Sequence, residues 1–263
     1  MSRAQARARV IPARDGGRWV LDGWRLFRAA PLGWLAVVMA YLLLTNLLAL
    51  LPLVGLPAAL FIVPALSLGL MAAARAAASG APVELTLLLS SFRNDWRAQA
   101  ILGAVYTACS LGVLGAMVLA DSEGALRLVL SGTANPDELE AIDVTRPVMV
   151  AALAYTPVMM AFWFAPPLAA WNRLGAGKSL FFSFFACLMN WRAFLVYGAV
   201  LSGILFAVAL AGTALALGGV ISRHFIIGSL IVILPTLFAS FYASYRDVFG
   251  EASGEAGASG PAP

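Results

Sequence analysis

Apolar residues in this chain come in long blocks, not in alternation. Six stretches are long enough to cross the ~30 Å hydrocarbon core at ~1.5 Å of rise per residue. They fall at residues 32–54, 56–78, 98–120, 148–171, 194–219 and 225–245. The pattern predicts an all-α membrane bundle of six transmembrane helices. The first two spans are joined by LPLVGLP, where Pro52, Gly55 and Pro57 predict a tight turn at the membrane edge.

Two shorter segments are apolar on one side only. In residues 82–97 a helix would gather Leu85, Leu88, Leu89, Phe92 and Trp96 on one face; in 178–192 it would gather Phe181, Phe184, Phe185, Leu188 and Trp191. Such helices are expected to lie in the headgroup plane. Each runs into the same block, W-R-A, four residues, G-A-V, at 96–105 and again 95 positions later. Trp96 with Arg97, and Trp191 with Arg192, are read as lipid anchors: indole favours the headgroup level and guanidinium reaches phosphate. A third, fainter copy opens the chain at 19–34, with Trp24 and Arg25 in the equivalent roles. The repeat predicts three hairpins, each preceded by an in-plane helix.

Beyond the block, small residues recur every four positions. Ala104, Ala108, Gly112 and Ala116 lie in the third span, and Ala199, Gly203, Ala207 and Ala211 in the fifth. Small residues at this spacing allow close backbone approach, so both stripes are expected to pack helices.

Composition fits lipid as solvent. Hydrophobic residues are 62% of the 263, and charged residues 11%, against roughly 25% charged in soluble domains. The charges also set an orientation. Of 17 cations, 14 fall on one side of a six-span layout, and Arg127, Arg146 and Arg223 on the other. The positive-inside bias then predicts both termini in the cytoplasm of a bacterium. An Arg-rich arm over 1–18 is expected to meet anionic lipid headgroups; it lacks the interleaved aromatics of a nucleic-acid binder. The start does not read as a cleavable signal. Residues 247–263 are expected to form a disordered cytoplasmic tail. The loop over 121–147 is the sizeable far-side piece, with an acid cluster at Asp137, Glu138, Glu140 and Asp143 that lacks calcium-loop spacing.

Candidate chemistry is thin. GAGKS at 175–179 has Asn172 where a phosphate loop needs its first glycine. His224 has no ligand at metal spacing, and Cys109 and Cys187 read as small packing residues. The middle of every span is free of Asp, Glu, Lys and Arg, which weighs against proton-coupled transport and paired-aspartate proteolysis. Neither catalytic residues nor a cofactor are expected. Mildly polar residues remain as glue or as the lining of a path. Asn46, Tyr155, Thr156 and Pro157 form the candidate path, because a proline frees a carbonyl four residues upstream.

At VELTLLLSSFRNDWR, PVMVAALAYTPVMMAFWFAPPLAAW and GAGKSLFFSFFACLMNWRAFLVYGAV the chain resembles a family of small multi-pass inner-membrane proteins of proteobacteria. The likeness covers roughly 19–246 and implies an inner-membrane bundle without bringing catalytic residues. More remotely, the layout is similar to the membrane domain of some bacterial glycerophosphodiester phosphodiesterases, without a counterpart of the hydrolase's catalytic domain. Two functions stay open: a non-enzymatic scaffold contacting lipids or another membrane protein, and a permease for a small or lipid-like solute.

Overall fold

The computed structural model describes residues 8–92, 96–121, 144–217 and 222–250. The acid cluster at Asp137, Glu138, Glu140 and Asp143 lies outside them, as does the chain beyond 250. Six helices among the described residues are long and apolar enough to cross a membrane. The chain is an all-α polytopic bundle.

In chain order the helices are α1 (Asp15–Ala29), α2 (Pro31–Ala49), α3 (Gly55–Ala78), a 3₁₀ helix (Leu85–Phe92) and α4 (Trp96–Ala120). Further along the chain are α5 (Thr145–Phe162), α6 (Ala165–Trp171), α7 (Ala176–Met189), α8 (Trp191–Leu217) and α9 (Ser222–Phe249). The spans are α2, α3, α4, α5 with α6, α8 and α9. Two boundaries differ from expectation. α2 stops at Ala49, and residues 50–54 form the turn, with Leu53 at a left-handed φ of 66° and fully exposed. α9 continues to Phe249, so residues 247–249 belong to the last span's helix and not to a tail.

The short helices pack in one pattern. The 3₁₀ helix lies mainly on α3, with α2 beside it, and α7 lies on α5 and α6. Each therefore sits on the hairpin before it. α1 has no preceding hairpin and docks on the last one, α8 and α9. This closes the three units into a cycle, and it differs from the expected scheme in which each short helix belongs to the hairpin that follows.

The two in-plane segments also differ from each other. Within 82–97, Leu85–Phe92 form a 3₁₀ helix, not the α-helix expected there, and lodge Leu88 against Gly69, where the absent side chain admits the backbone. α7 is a regular helix with an inverted surface. Ser179, Ser183 and Asn190 are at most 2% exposed and face the protein, while Phe181 is 59% and Trp191 51% exposed. Phenylalanine outward and serine inward is the arrangement expected of a helix bathed in lipid.

Ser183 has a specific task. The expected helix break at Pro157 is absent, since α5 runs through it to Phe162. The break comes at Trp163–Phe164, ahead of Pro166 and Pro167, whose missing N–H groups interrupt the ladder. There the Phe164 N–H donates to Ser183 Oγ at 2.9 Å, and that hydroxyl donates to the Met160 carbonyl at 2.8 Å. A side chain from α7 thus fills one rung of the opened ladder.

The core sits at the end of the bundle where α1 docks. Trp19, Trp34, Phe164 and Leu168 are fully buried there. Trp163 stacks edge-on with Phe194, Tyr197 and Phe241, at 5.3, 5.9 and 4.5 Å between ring centroids. Towards the other end the spans turn apolar side chains outward, as with Leu153 at 72% and Phe206 at 71% exposure.

Candidate functional site

Both Trp–Arg pairs stand at the first two residues of a span, α4 and α8, and on the same end of the bundle. The alanine that follows turns inward: Ala98 and Ala193 are buried. Helical geometry then leaves the two preceding side chains outside. Arg97 stacks over the Trp96 ring at 5.7 Å and Arg192 over Trp191 at 5.3 Å, a cation–π arrangement with all four residues exposed on the bundle surface. The third copy is different. Trp24 and Arg25 lie within α1, not at the start of a span; Arg28 covers Trp24 at 5.8 Å, and Arg25 pairs with Asp22 at 2.8 Å. Trp24 is exposed, and its stacked partner is Arg28, not Arg25, so the first unit differs in geometry from the other two.

The small-residue stripes do not pack within the chain. Ala104, Ala108, Gly112, Ala199, Gly203 and Ala207 are exposed, and Ala116 and Ala211 are half-buried. A side chain built at Gly112 or Gly203 would meet nothing within 4 Å. Close approach is made elsewhere, by Gly103 against the Phe61 carbonyl and by Gly16 and Gly23 of α1 against Ala193 and Thr236.

The candidate path is likewise not assembled. Asn46 donates to the Leu42 carbonyl of its own helix at 2.8 Å, and Thr156 to Ala152 at 2.8 Å; both are exposed on their spans. Tyr155 alone reaches a neighbour, sharing a 2.7 Å hydrogen bond with Tyr106 across α4 and α5. The path residues spend their polar groups as interhelical or intrahelical bonds.

The richest polar site is one the sequence did not single out. The arm is not free from residue 8 onward. Asn190, between α7 and α8, accepts from the Ile11 N–H at 2.9 Å and donates to the Arg9 carbonyl at 3.0 Å and the Ala186 carbonyl at 2.9 Å. The Arg9 N–H donates to the Val248 carbonyl at 2.8 Å. The arm is thereby strapped across the end of α9. Below it, α1 carries Asp15 and Asp22 on one face, each paired with the arginine three residues on: Arg18 at 2.9 Å and Arg25 at 2.8 Å. Asp22 also takes Arg246 of α9 at 3.2 Å, and the buried Trp19 indole donates to Asp247 at 3.0 Å. Arg9, Asp15, Arg18, Asp22, Arg246 and Asp247 border a cleft of about 390 Å³. The aspartate–arginine spacing of i, i+3 was readable in the chain; its convergence with Arg246 and Asp247, more than 220 residues away, was not.

No family model matches the chain, and no solved structure matches it. Over 251 residues the chain is 34% identical to a probable inner membrane protein of Burkholderia thailandensis, a match that takes in 91% of this chain and 93% of the relative. With six apolar spans already in view, a similarity of that extent carries both shared fold and shared address: the chain is a multi-pass protein of the inner membrane, and it belongs to the same family as the Burkholderia protein.

Proposed function

We propose that this chain is a non-enzymatic organiser of the inner membrane, which gathers anionic lipid headgroups around the Trp–Arg pairs at one end of the bundle. The observation that carries the reading is the repeated stack of Arg97 on Trp96 and Arg192 on Trp191, each outward-facing at the start of a span. Stacking holds the guanidinium plane while its edge stays free for a phosphate, which it can take through two parallel N–H groups. The outward phenylalanines of α7 support the same placement, since they need acyl chains to cover them. The cation bias supports a cytoplasmic position for this end and both termini, where the anionic leaflet would add about 1 kcal/mol per basic side chain near the surface. Another membrane protein could be recruited by the same surface through the lipids it holds. The permease reading draws no support from Asn46 and Thr156, whose polar groups are returned to their own helices.

The test is lipid enrichment. The intact chain, extracted into nanodiscs with its native lipids, is expected to hold phosphatidylglycerol and cardiolipin above their bulk share. The double variant Arg97→Gln, Arg192→Gln should lose that excess by about fivefold at each of the two pairs, the effect of roughly 1 kcal/mol per arginine removed, with its helical content unchanged. Unchanged enrichment in the double variant would remove the basis for this function.

A further inference from the structure

The cleft under the arm differs in character from the Trp–Arg surface. Its volume of about 390 Å³ lies within the roughly 300–1,000 Å³ of small-ligand sites. Three arginines, Arg9, Arg18 and Arg246, and three aspartates, Asp15, Asp22 and Asp247, line it. Their formal charges cancel. A simple anion or a simple cation entering the cleft would meet repulsion as well as attraction, whereas a ligand carrying both signs can satisfy both sets.

The six groups are not equally committed. Asp15 and Asp22 already hold Arg18, Arg25 and Arg246. Among the described residues the Arg9 guanidinium has neither an ion pair nor a hydrogen bond, although its backbone is fixed at both ends by Val248 and Asn190. Asp247 gives Oδ2 to the Trp19 indole, and its Oδ1 is 4.0 Å from Arg246 Nε, beyond hydrogen-bond reach. One guanidinium and one carboxylate oxygen are thus left with unused capacity on two adjoining elements. The lining contains no aromatic ring, the group that best holds a quaternary ammonium. A primary ammonium, which donates hydrogen bonds, suits a carboxylate. The carboxylates do not come together as a metal-holding group among the described residues.

We propose that this cleft binds the phosphoethanolamine headgroup of a membrane phospholipid, with the phosphate on Arg9 and the ammonium on Asp247. The cleft lies at the same end of the bundle as Trp191, beside the last turn of the sixth span, so a lipid is better placed to supply the headgroup than a dissolved solute. The assignment is independent of the Trp–Arg reading: it uses other side chains and favours a zwitterionic lipid over an anionic one.

Native mass spectrometry of the full chain in detergent tests it, with short-chain phosphatidylethanolamine, phosphatidylcholine and phosphatidylglycerol added separately, and free phosphoethanolamine as a fourth ligand. Phosphatidylethanolamine should fill one site about tenfold more tightly than the other two lipids, and Arg9→Gln and Asp247→Asn should each abolish that margin, as expected for a lost charge-assisted hydrogen bond. Asparagine at 247 still accepts from Trp19, and the Arg9 guanidinium, though it lies against Gly250, makes no hydrogen bond there, so both variants keep the fold. Glu84→Gln, a charge removed at a distance from the cleft, should change nothing. Equal binding of the three lipids, or a preference that survives both variants, overturns the site. Free phosphoethanolamine binding as tightly as the lipid overturns the lipid as its source.

Discussion

Alanine at Gly23 is expected to loosen α1 from the bundle and to lower the thermal midpoint of the detergent-solubilised protein by roughly 4–8 °C. A Cβ at this position would meet the Thr236 carbonyl oxygen and stand 2.9 Å from both the amide nitrogen and the Cβ of Ser240. These are backbone or near-backbone atoms of α9 and cannot swing away. Overpacking of this kind costs about 1–3 kcal/mol, and at a site blocked by backbone the upper part of that range applies. The gain in helix propensity from glycine to alanine, about 1 kcal/mol, offsets only part of it. A net loss of about 2 kcal/mol corresponds to the stated shift at roughly 2–4 °C per kcal/mol for a protein near this size. Gly16, facing the Ala193 carbonyl, should behave in the same way. Gly17 is the internal control: its added Cβ would lie 3.7 Å from Val200 and 3.8 Å from Val196, ordinary contact distances. Gly17→Ala should leave the midpoint unchanged or raise it. If Gly23→Ala and Gly17→Ala behave alike, α1 is not docked as described.

The second large effect is expected at Asn190. Its side chain makes three hydrogen bonds, to Ile11, Arg9 and Ala186, while only 2% exposed. Alanine there strands the Ile11 N–H and the Arg9 carbonyl, each costing about 1–3 kcal/mol if left unpaired. The arm can relieve that cost by detaching into water, so the loss should show as release of residues 8–14 with the bundle intact. Limited trypsin digestion reads this directly, because Arg9 and Arg14 are cleavage points on the strap. Cleavage should accelerate by about tenfold or more, given that 1.4 kcal/mol of opening free energy is a factor of ten. Asn190→Asp should fall between, since it keeps the acceptor for Ile11 and loses the donor to Arg9. Equal cleavage rates in all three proteins would mean that the strap does not depend on Asn190.

The spans were legible because the property that makes them, twenty or so apolar residues in a row, is local and needs no partner. The repeat was legible for the same reason at its anchors: Trp96–Arg97 and Trp191–Arg192 do begin spans. What failed was inference about which face meets protein. The Ala104–Ala116 and Ala199–Ala211 stripes satisfy a packing rule, yet helices in lipid have no hydrophobic penalty for leaving such a stripe outside, and the nearby glycines Gly16, Gly23 and Gly103 make the close approaches instead. α7 shows the same ambiguity: its periodicity identifies two faces but not that serine and asparagine are the buried ones. A proline can interrupt a helix, yet α5 continues through Pro157; the interruption comes ahead of the tandem Pro166–Pro167, where Ser183 bridges the Phe164 N–H and the Met160 carbonyl. The arm-end cleft is not legible in the chain because its parts lie at opposite ends of it, and a sum of cations does not contain the ordering that Asp15 and Asp22 impose on Arg18, Arg25 and Arg246.

The two Trp–Arg elements are expected on one face of the membrane, opposite the turn between α2 and α3. Single cysteines at Glu84, Lys178 and Leu53 measure this, in a chain where Cys109 is replaced by alanine. Cys187 can remain, since burial pushes its thiol pKa up and holds it unreactive. A membrane-impermeant maleimide should label positions 84 and 178 in inverted vesicles and not in intact spheroplasts, with position 53 showing the reverse. Labelling of 84 and 178 from the outside, or from opposite faces, would contradict it.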